Sequence, residues 1–474
     1  MHFLCKTLFF HPLTRFRIPR CCLFLLLLGT TVAGTTPALT TAAGAAEENR
    51  AIAFVGAKMI PIDGAEIEQG ILIIQGGKIT HIGPASEVEI LPGMQRIDVS
   101  GKTIMPGLVC THSHIGGVGA ADASGPIQPG VRVLDSINVR DSGFKRALAG
   151  GLTSLNIMPG SGHLISGQTV YVKLRWGDQM PRTIEEIAYL DQDGKPQGGL
   201  KMANGTNSQG EPPFPGTRAK SAALVREQFI AAMEYREQRA AALAADAKEQ
   251  EKEKKSAFKR NLDLEALVEA IEGERIVHHH THRADDIMTV LRLKEEFGFR
   301  VVLHHVSEAW KIPEQIARAE VPCSVILVDS PGGKLEARYL LMNTGGVLEK
   351  AGVPVAFHTD DWITDSRVFL RMAALAVRAG MSREKGLRSL TLAGAEMLDL
   401  EERIGSLTPG KDADFVILSG DPLSVYSQVL ETWVEGKRAF NRADPRDALF
   451  AEGGFGAGSD LEPYLCCAAQ GADQ

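Results

Sequence analysis

An α/β fold is what this sequence predicts: a (β/α)8 barrel set inside a small β-sandwich whose halves come from the two ends of the chain. Three observations carry it. From about Ile104 to Leu400, short apolar runs alternate with helical stretches and supply eight strand candidates, the count of such a barrel. Strand-like segments punctuated by Gly, Asp and Pro precede this region and return after it. Ten of the 13 histidines fall between residues 112 and 358, most of them at the ends of strand candidates.

Composition bounds the alternatives. At 474 residues, 44% hydrophobic and 23% charged, the chain is neither collagen-like, nor disordered, nor a multi-span membrane protein. Lys+Arg 51 against Asp+Glu 58 gives a dispersed net charge of -7, without the basic footprint of a nucleic-acid binder. The expected partner is a small molecule, with self-association left open.

Taken in order, residues 1–45 read as an export signal: Lys6, Arg15, Arg17 and Arg20 without an acid, an apolar run Cys21–Leu28, and a small-residue cleavage site at Ala43-Gly44-Ala45, with Val32-Ala33-Gly34 as the alternative. The apolar run is shorter than the roughly 20 residues of a membrane span, so no stable anchor is expected and the mature protein is exported. Cleavage removes four bases and no acid, which takes the net charge from -7 to -11. It also removes three of seven cysteines, and Cys110, Cys323, Cys466 and Cys467 are too few and too scattered for a disulfide scaffold. Residues 46–103 form the first sandwich part. Residues 104–400 form the barrel, with strands at Gly107–Thr111, Thr153–Met158, Thr169–Leu174, Leu200–Ala203, Arg275–His280, Arg300–His305, Ser324–Val328 and Pro354–His358. The third could equally belong to a hairpin opened by Ser166-Gly167-Gln168. Residues 219–260 are a highly charged, Ala-rich insertion expected as a long solvated helix. Residues 401–445 complete the sandwich, and 446–474 are tail.

Active sites of such barrels gather where strands end. His112 and His114 follow the first strand candidate, His280 and His282 the fifth, His304 and His305 close the sixth, and His358 and Asp360 follow the eighth. In His112-Ser113-His114 two imidazoles share one face of an extended chain and can reach one metal. Imidazoles and a carboxylate converging there are ligands for Zn2+ or a similar divalent ion.

The segment Pro106-Gly107-Leu108-Val109-Cys110-Thr111-His112-Ser113-His114 resembles the P-G-[LI]-[IV]-D-x-H-x-H motif of the amidohydrolase superfamily, in its imidazolonepropionase-like, metal-dependent branch. Gly405-Ser406-Leu407-Thr408-Pro409-Gly410-Lys411-Asp412-Ala413-Asp414 is similar to the closing G-x-[IL]-x-x-G-x-x-A-D signature. His280-Thr281-His282-Arg283-Ala284-Asp285-Asp286, His305-Val306-Ser307-Glu308, Thr359-Asp360 and Thr391-Leu392-Ala393-Gly394-Ala395 match further segments, Gly394 standing where Pro is usual.

The resemblance implies a metal shell of His112, His114, His280, His305 and Asp360, holding one or two ions. His280 is preferred over His282 because it closes its apolar run, and His305 over His304 because it heads the His-x-x-Glu match. His278, His279, His304 and His358 are read as core or supporting residues. Cys110 stands where the family has Asp, so an orienting hydrogen bond would be lost, a change that commonly costs about 10- to 100-fold. In binuclear members a carbamylated lysine bridges the ions; Lys201 is the positional candidate and Lys173 the alternative. The implied reaction is hydrolysis of an amide, cyclic amide or dipeptide-like C–N bond by metal-activated water, with Asp360 as general base and His305 or His280 holding the carbonyl oxygen or a second ion. A catalytically degenerate ligand-binding barrel is the competing reading. Arg218, Arg283 and Arg367 are the candidates to meet a substrate carboxylate.

Overall fold

The computed structural model describes residues 50–118, 122–177, 180–248, 258–327, 334–361 and 363–453. The expected leader, Cys466 and Cys467 and the densest part of the charged run lie outside the described residues. Strands β1 (Ile52–Met59), β2 (Ile67–Gln75) and β3 (Lys78–Pro84) form an antiparallel meander. The last hairpin turns on Gly76-Gly77, with φ of 56° and 76°, the two-residue turn whose twist matches that of the strands. Alternate residues face opposite sides: Ala53, Ile71 and Ile73 cluster on one, Phe54, Leu72 and Ile74 on the other. Strands β4 (Gln95–Asp98) and β5 (Thr103–Pro106) both pair parallel with β1.

Nine strands follow: β6 (Leu108–Ser113), β7 (Leu152–Ile157), β8 (Ile165–Gln168), β9 (Val170–Lys173), β10 (Leu200–Ala203), β11 (Val277–Thr281), β12 (Val301–His305), β13 (Cys323–Val325) and β14 (Val355–Phe357). Strands β10 to β14 pair in parallel succession and β6 pairs parallel with β7, which explains their near-continuous burial. Each of the eight strand candidates falls on a strand, but the third departs from the expected parallel set. Strand β9 runs antiparallel to β7, and β8 runs antiparallel to β10. The Thr169 and Tyr171 amides donate to the carbonyls of Gly199 and Gln197 at 2.9 Å, and the Asp360 amide to that of His112 at 3.1 Å. Strand β9 thus meets the approach to β10, and the end of β14 meets β6.

Strands β15 (Phe415–Leu418), β16 (Val429–Val434) and β17 (Lys437–Asn441) complete the first sheet, ordered β17-β16-β15-β5-β1-β2-β3 with β4 paired to β1. The two ends of the chain therefore join through β5 and β15, where Met105 faces Val416. Phe54, Phe415 and Trp433 seal the junction with ring centroids 5.0 to 5.6 Å apart. By hydrogen bonding this is one eight-stranded sheet rather than two separate sheets. Val416, Leu418 and Val429 share a core with Leu108, Leu152 and Phe144.

The charged stretch is helical over Arg218–Lys248, with Val225, Phe229, Ala232 and Tyr235 buried at helical spacing. Helix Pro445–Glu452 occupies the start of the expected tail. Gly394 fits where the helix Leu392–Glu396 crosses β6, because a Cβ there would lie 3.0 Å from the Val109 carbonyl oxygen.

Candidate active site

Strand β6 delivers His112 fully buried and passes His114 just beyond its end. The Met158 carbonyl can only accept, so the 2.7 Å contact to His114 Nδ1 puts the imidazole proton on Nδ1. Its Nε2 faces the Asp360 carboxylate. It lies 3.0 Å from Asp360 Oδ1 and 3.2 Å from His112 Nε2, while His112 Nε2 is 3.3 Å from the same oxygen. Groups this close are held together by a shared proton or a cation, and two imidazoles with a carboxylate are a donor set suited to Zn2+ or a similar divalent ion. These residues therefore fit the metal that the sequence implies.

Asp360 is aimed by a left-handed backbone, φ 49°, and His305 by another, φ 69°. For non-glycine residues such conformations cost about 1–3 kcal/mol and gather at functional sites. Burial works against the Asp360 charge, but His114, His358 and Lys201 around it prevail and hold its pKa down to about 2. It is a carboxylate at any physiological pH.

His305 Nδ1 lies 3.9 Å from Asp360 Oδ2 and 3.2 Å from His358 Nε2, and its Nε2 has no partner. His112, His305 and Asp360 thus form one potential ligand group. His280 stands one imidazole further out, its ring centroid 4.2 Å from that of His305, and groups with His282 and Glu336 instead. Of the five expected ligands, His112, His114 and His305 converge on a fourth, Asp360, and His280 adjoins them.

His304 and His358 form a further potential ligand group with His112, and each is also tied to supporting residues. His358 Nδ1 meets Ser324 Oγ at 2.6 Å, His304 meets His278 at 3.0 Å, and His278 meets the Tyr171 hydroxyl at 3.0 Å. Burial drives His278 and His358 down to about 3 and His279 to about 4, so each is neutral.

Lys201 Nζ sits 3.0 Å from His112 Nε2 in full burial, which lowers its pKa to about 7 despite the attraction of Asp360. Lys173 belongs elsewhere: it pairs with Asp412, with Asp414 at 2.9 Å and with Glu435 at 3.3 Å, beside the eight-stranded sheet. The orienting role expected to be missing at Cys110 is filled by sulfur. Its thiol donates to the His112 carbonyl at 3.1 Å and accepts from the Thr359 amide at 3.3 Å, tying β6 to the residue before Asp360. Arg218 is held by Asp286 and Glu336, Arg283 by Asp285 and Arg367 by Asp365, so none of the three is free for a substrate. Sequence reasoning missed Glu336 and Lys334, whose one signal was a base and an acid in the segment after the seventh strand candidate.

An amidohydrolase family model matches residues 214–440. A solved amidohydrolase from Thermotoga maritima MSB8 is 34% identical, covering 82% of this chain and 100% of that one with a TM-score of 0.74. The chain belongs to the amidohydrolase family. This amidohydrolase is also 27% identical to amidohydrolase tasK of Hapsidospora irregularis over 78% of its own length, though it spans only 40% of that protein. It is 24% identical to the imidazolonepropionase of Pseudomonas paraeruginosa over 74% of its length and 87% of that protein's.

Proposed function

We propose that this amidohydrolase is an exported, metal-dependent enzyme that hydrolyses a C–N bond of a small molecule, outside ordinary peptide bonds. The observation that carries the reading is the convergence of two imidazoles on one carboxylate, with His114 Nε2 3.0 Å and His112 Nε2 3.3 Å from Asp360 Oδ1, a donor set suited to a divalent cation. We read the sheets holding β6 to β14 as the amidohydrolase barrel and the eight-stranded sheet as its sandwich-like companion.

His112, His114 and Asp360 would hold the first ion, with Lys201 in the place of the carbamylated bridge and His280 and His305 available to a second. Zn2+ suits the donor set. Such an ion supplies Lewis acidity, polarising a carbonyl and making water a nucleophile near neutral pH. Asp360, ionised and 3.9 Å from His305, takes the water's proton and returns it to the leaving amine. With one ion bound, His305, whose Nε2 is without a partner, is placed to hold the carbonyl oxygen.

With the three arginines committed, Lys334 is the cation that acts on Asp360, His280 and His282 while pairing with no carboxylate among the described residues. That favours a substrate with its own carboxylate, an N-acyl amino acid or dipeptide, over an uncharged cyclic amide. The ligand-binding alternative rested on Cys110, and sulfur keeps that link.

Asp360→Asn should lower kcat about 10²- to 10⁴-fold with the circular dichroism spectrum unchanged. Undiminished turnover of the variant would remove Asp360 from the chemistry.

A further inference from the structure

Beneath His305 a line of hydrogen bonds runs through the interior of the strands. Thr111 Oγ1 lies 2.5 Å from Ser324 Oγ, Ser324 Oγ lies 2.6 Å from His358 Nδ1, and His358 Nε2 lies 3.2 Å from His305 Nδ1. Thr111 sits on β6 and Ser324 on β13, while His305 ends β12 and His358 directly follows β14. Thr111 and Ser324 belong to different sheets, so their contact is made by side chains and not by a ladder. Thr111, Ser324 and His358 are fully buried. Water is therefore a poor substitute, and these polar groups have to satisfy one another.

Two directions are open to the line. A hydroxyl both donates and accepts, whereas a neutral imidazole donates from one nitrogen and accepts at the other. Run outward, His305 Nδ1 would donate to His358, His358 Nδ1 to Ser324, and Ser324 to Thr111. The Thr111 proton would then be buried without an acceptor, since Ser324 is the one hydrogen-bond partner of that hydroxyl among the described residues. Run inward, Thr111 donates to Ser324, Ser324 to His358 Nδ1, and His358 Nε2 to His305 Nδ1. The proton left over is then the one on His305 Nε2, the nitrogen without a partner beside Asp360, where a substrate oxygen can take it. An orphaned donor deep among the strands forfeits its full desolvation in every state, which decides for the inward direction. Asp360 Oδ2, 3.9 Å from His305 Nδ1, is too far away to draw a proton onto that nitrogen. The His358 ring also stacks on that of His112, with centroids 4.9 Å apart and planes at 22°, which fixes its aim.

We propose that Thr111, Ser324 and His358 are positioning residues that keep His305 protonated at Nε2, so that with one ion bound it meets the carbonyl oxygen of the substrate as a ready-made hydrogen-bond donor. A donor fixed before the oxygen gains charge needs no reorganisation during the reaction. The donor role rests on the hydrolysis proposed above, whereas the tautomer belongs to the metal-free chain and is read without a substrate.

Long-range proton–nitrogen correlation spectra of metal-free, full-length protein with isotope-labelled histidines, assigned with His305→Gln and His358→Gln, should show both rings protonated at Nε2 at neutral pH. Ser324→Ala should move the His358 Nδ1 signal toward that of an imidazole nitrogen without a hydrogen bond. It should also lower kcat for an N-acyl amino acid about 10-fold with KM unchanged, and Ser324→Thr should restore both signal and rate. Thr111→Val, nearly the same in shape, should move the same signal by less and serves if Ser324→Ala melts early. His305 protonated at Nδ1 in the wild type would overturn the relay, as would a His358 Nδ1 signal unmoved in both variants. If the tautomers are as expected but turnover survives Asp360→Asn, the relay stands and the proposed chemistry falls.

Discussion

The thiol of Cys110 does work that a carboxylate was expected to do. It bridges the His112 carbonyl and the Thr359 amide, so that a candidate ligand on one strand end and the residue preceding Asp360 move together. Removing the bridge should loosen both. Cys110→Ala is expected to weaken metal affinity about 10-fold, measured by competition with a chelator, and Cys110→Ser to retain most of it. Burial pushes this thiol up to about 11, so it should resist alkylation at neutral pH while the fold is intact. At this scale much of the site was legible, because a His-x-His at a strand end constrains direction as well as chemistry. The lysine was not. Lys201 and Lys173 both sit in short apolar strands, and what separates them is that Asp412 and Asp414, more than 200 residues away in sequence, claim Lys173.

Among elements, strand existence was readable from apolar runs, but direction was not, since period-two burial is the same in parallel and antiparallel strands. For β8 and β9 direction shows only in the pairing, β8 with β10 and β9 with β7. The segment after β13 was silent for a different reason: Lys334 and Glu336 carry no periodicity, and their meaning comes only from Arg218 and the histidines that surround them. That segment should govern selectivity. Lys334→Met is expected to raise KM about 10-fold or more for N-acyl amino acids, roughly the worth of one charge-assisted contact, and to leave the matching carboxamides unaffected. Steady-state kinetics on acid and amide pairs would test it, and an equal change for both would place Lys334 outside substrate recognition.

For the whole molecule, the junction between the sheet and the strands bearing the site is held by charge as well as by apolar packing. Lys173 is fully buried against Asp412, Asp414 and Glu435, with Arg403 also on Asp412. Lys173→Met would strand these acids and should cost about 3–5 kcal/mol, read as a lower Tm. Burial opposes the Asp412 charge, but Lys173 and its other partners hold its pKa at about 2 against an ordinary 3.8. Its contribution of about 2 kcal/mol is complete above pH 4 and is lost as pH falls toward 2. Burial raises Asp414, which works in the opposite sense and flattens the loss. The Tm gap between wild type and Lys173→Met should therefore narrow on acidification as the stranded acids protonate.

The pairing of β5 with β15 also has a temporal consequence. Residues 103–106 pair along one edge with β1 and along the other with residues 415–418, so that second edge stays open until nearly the whole chain has been made. Closing so long a loop is slow, and an open strand edge invites association with other chains. A nascent chain of this protein should need a chaperone until about its last eighth emerges, and a truncation before β15 should aggregate even though every candidate metal ligand is present.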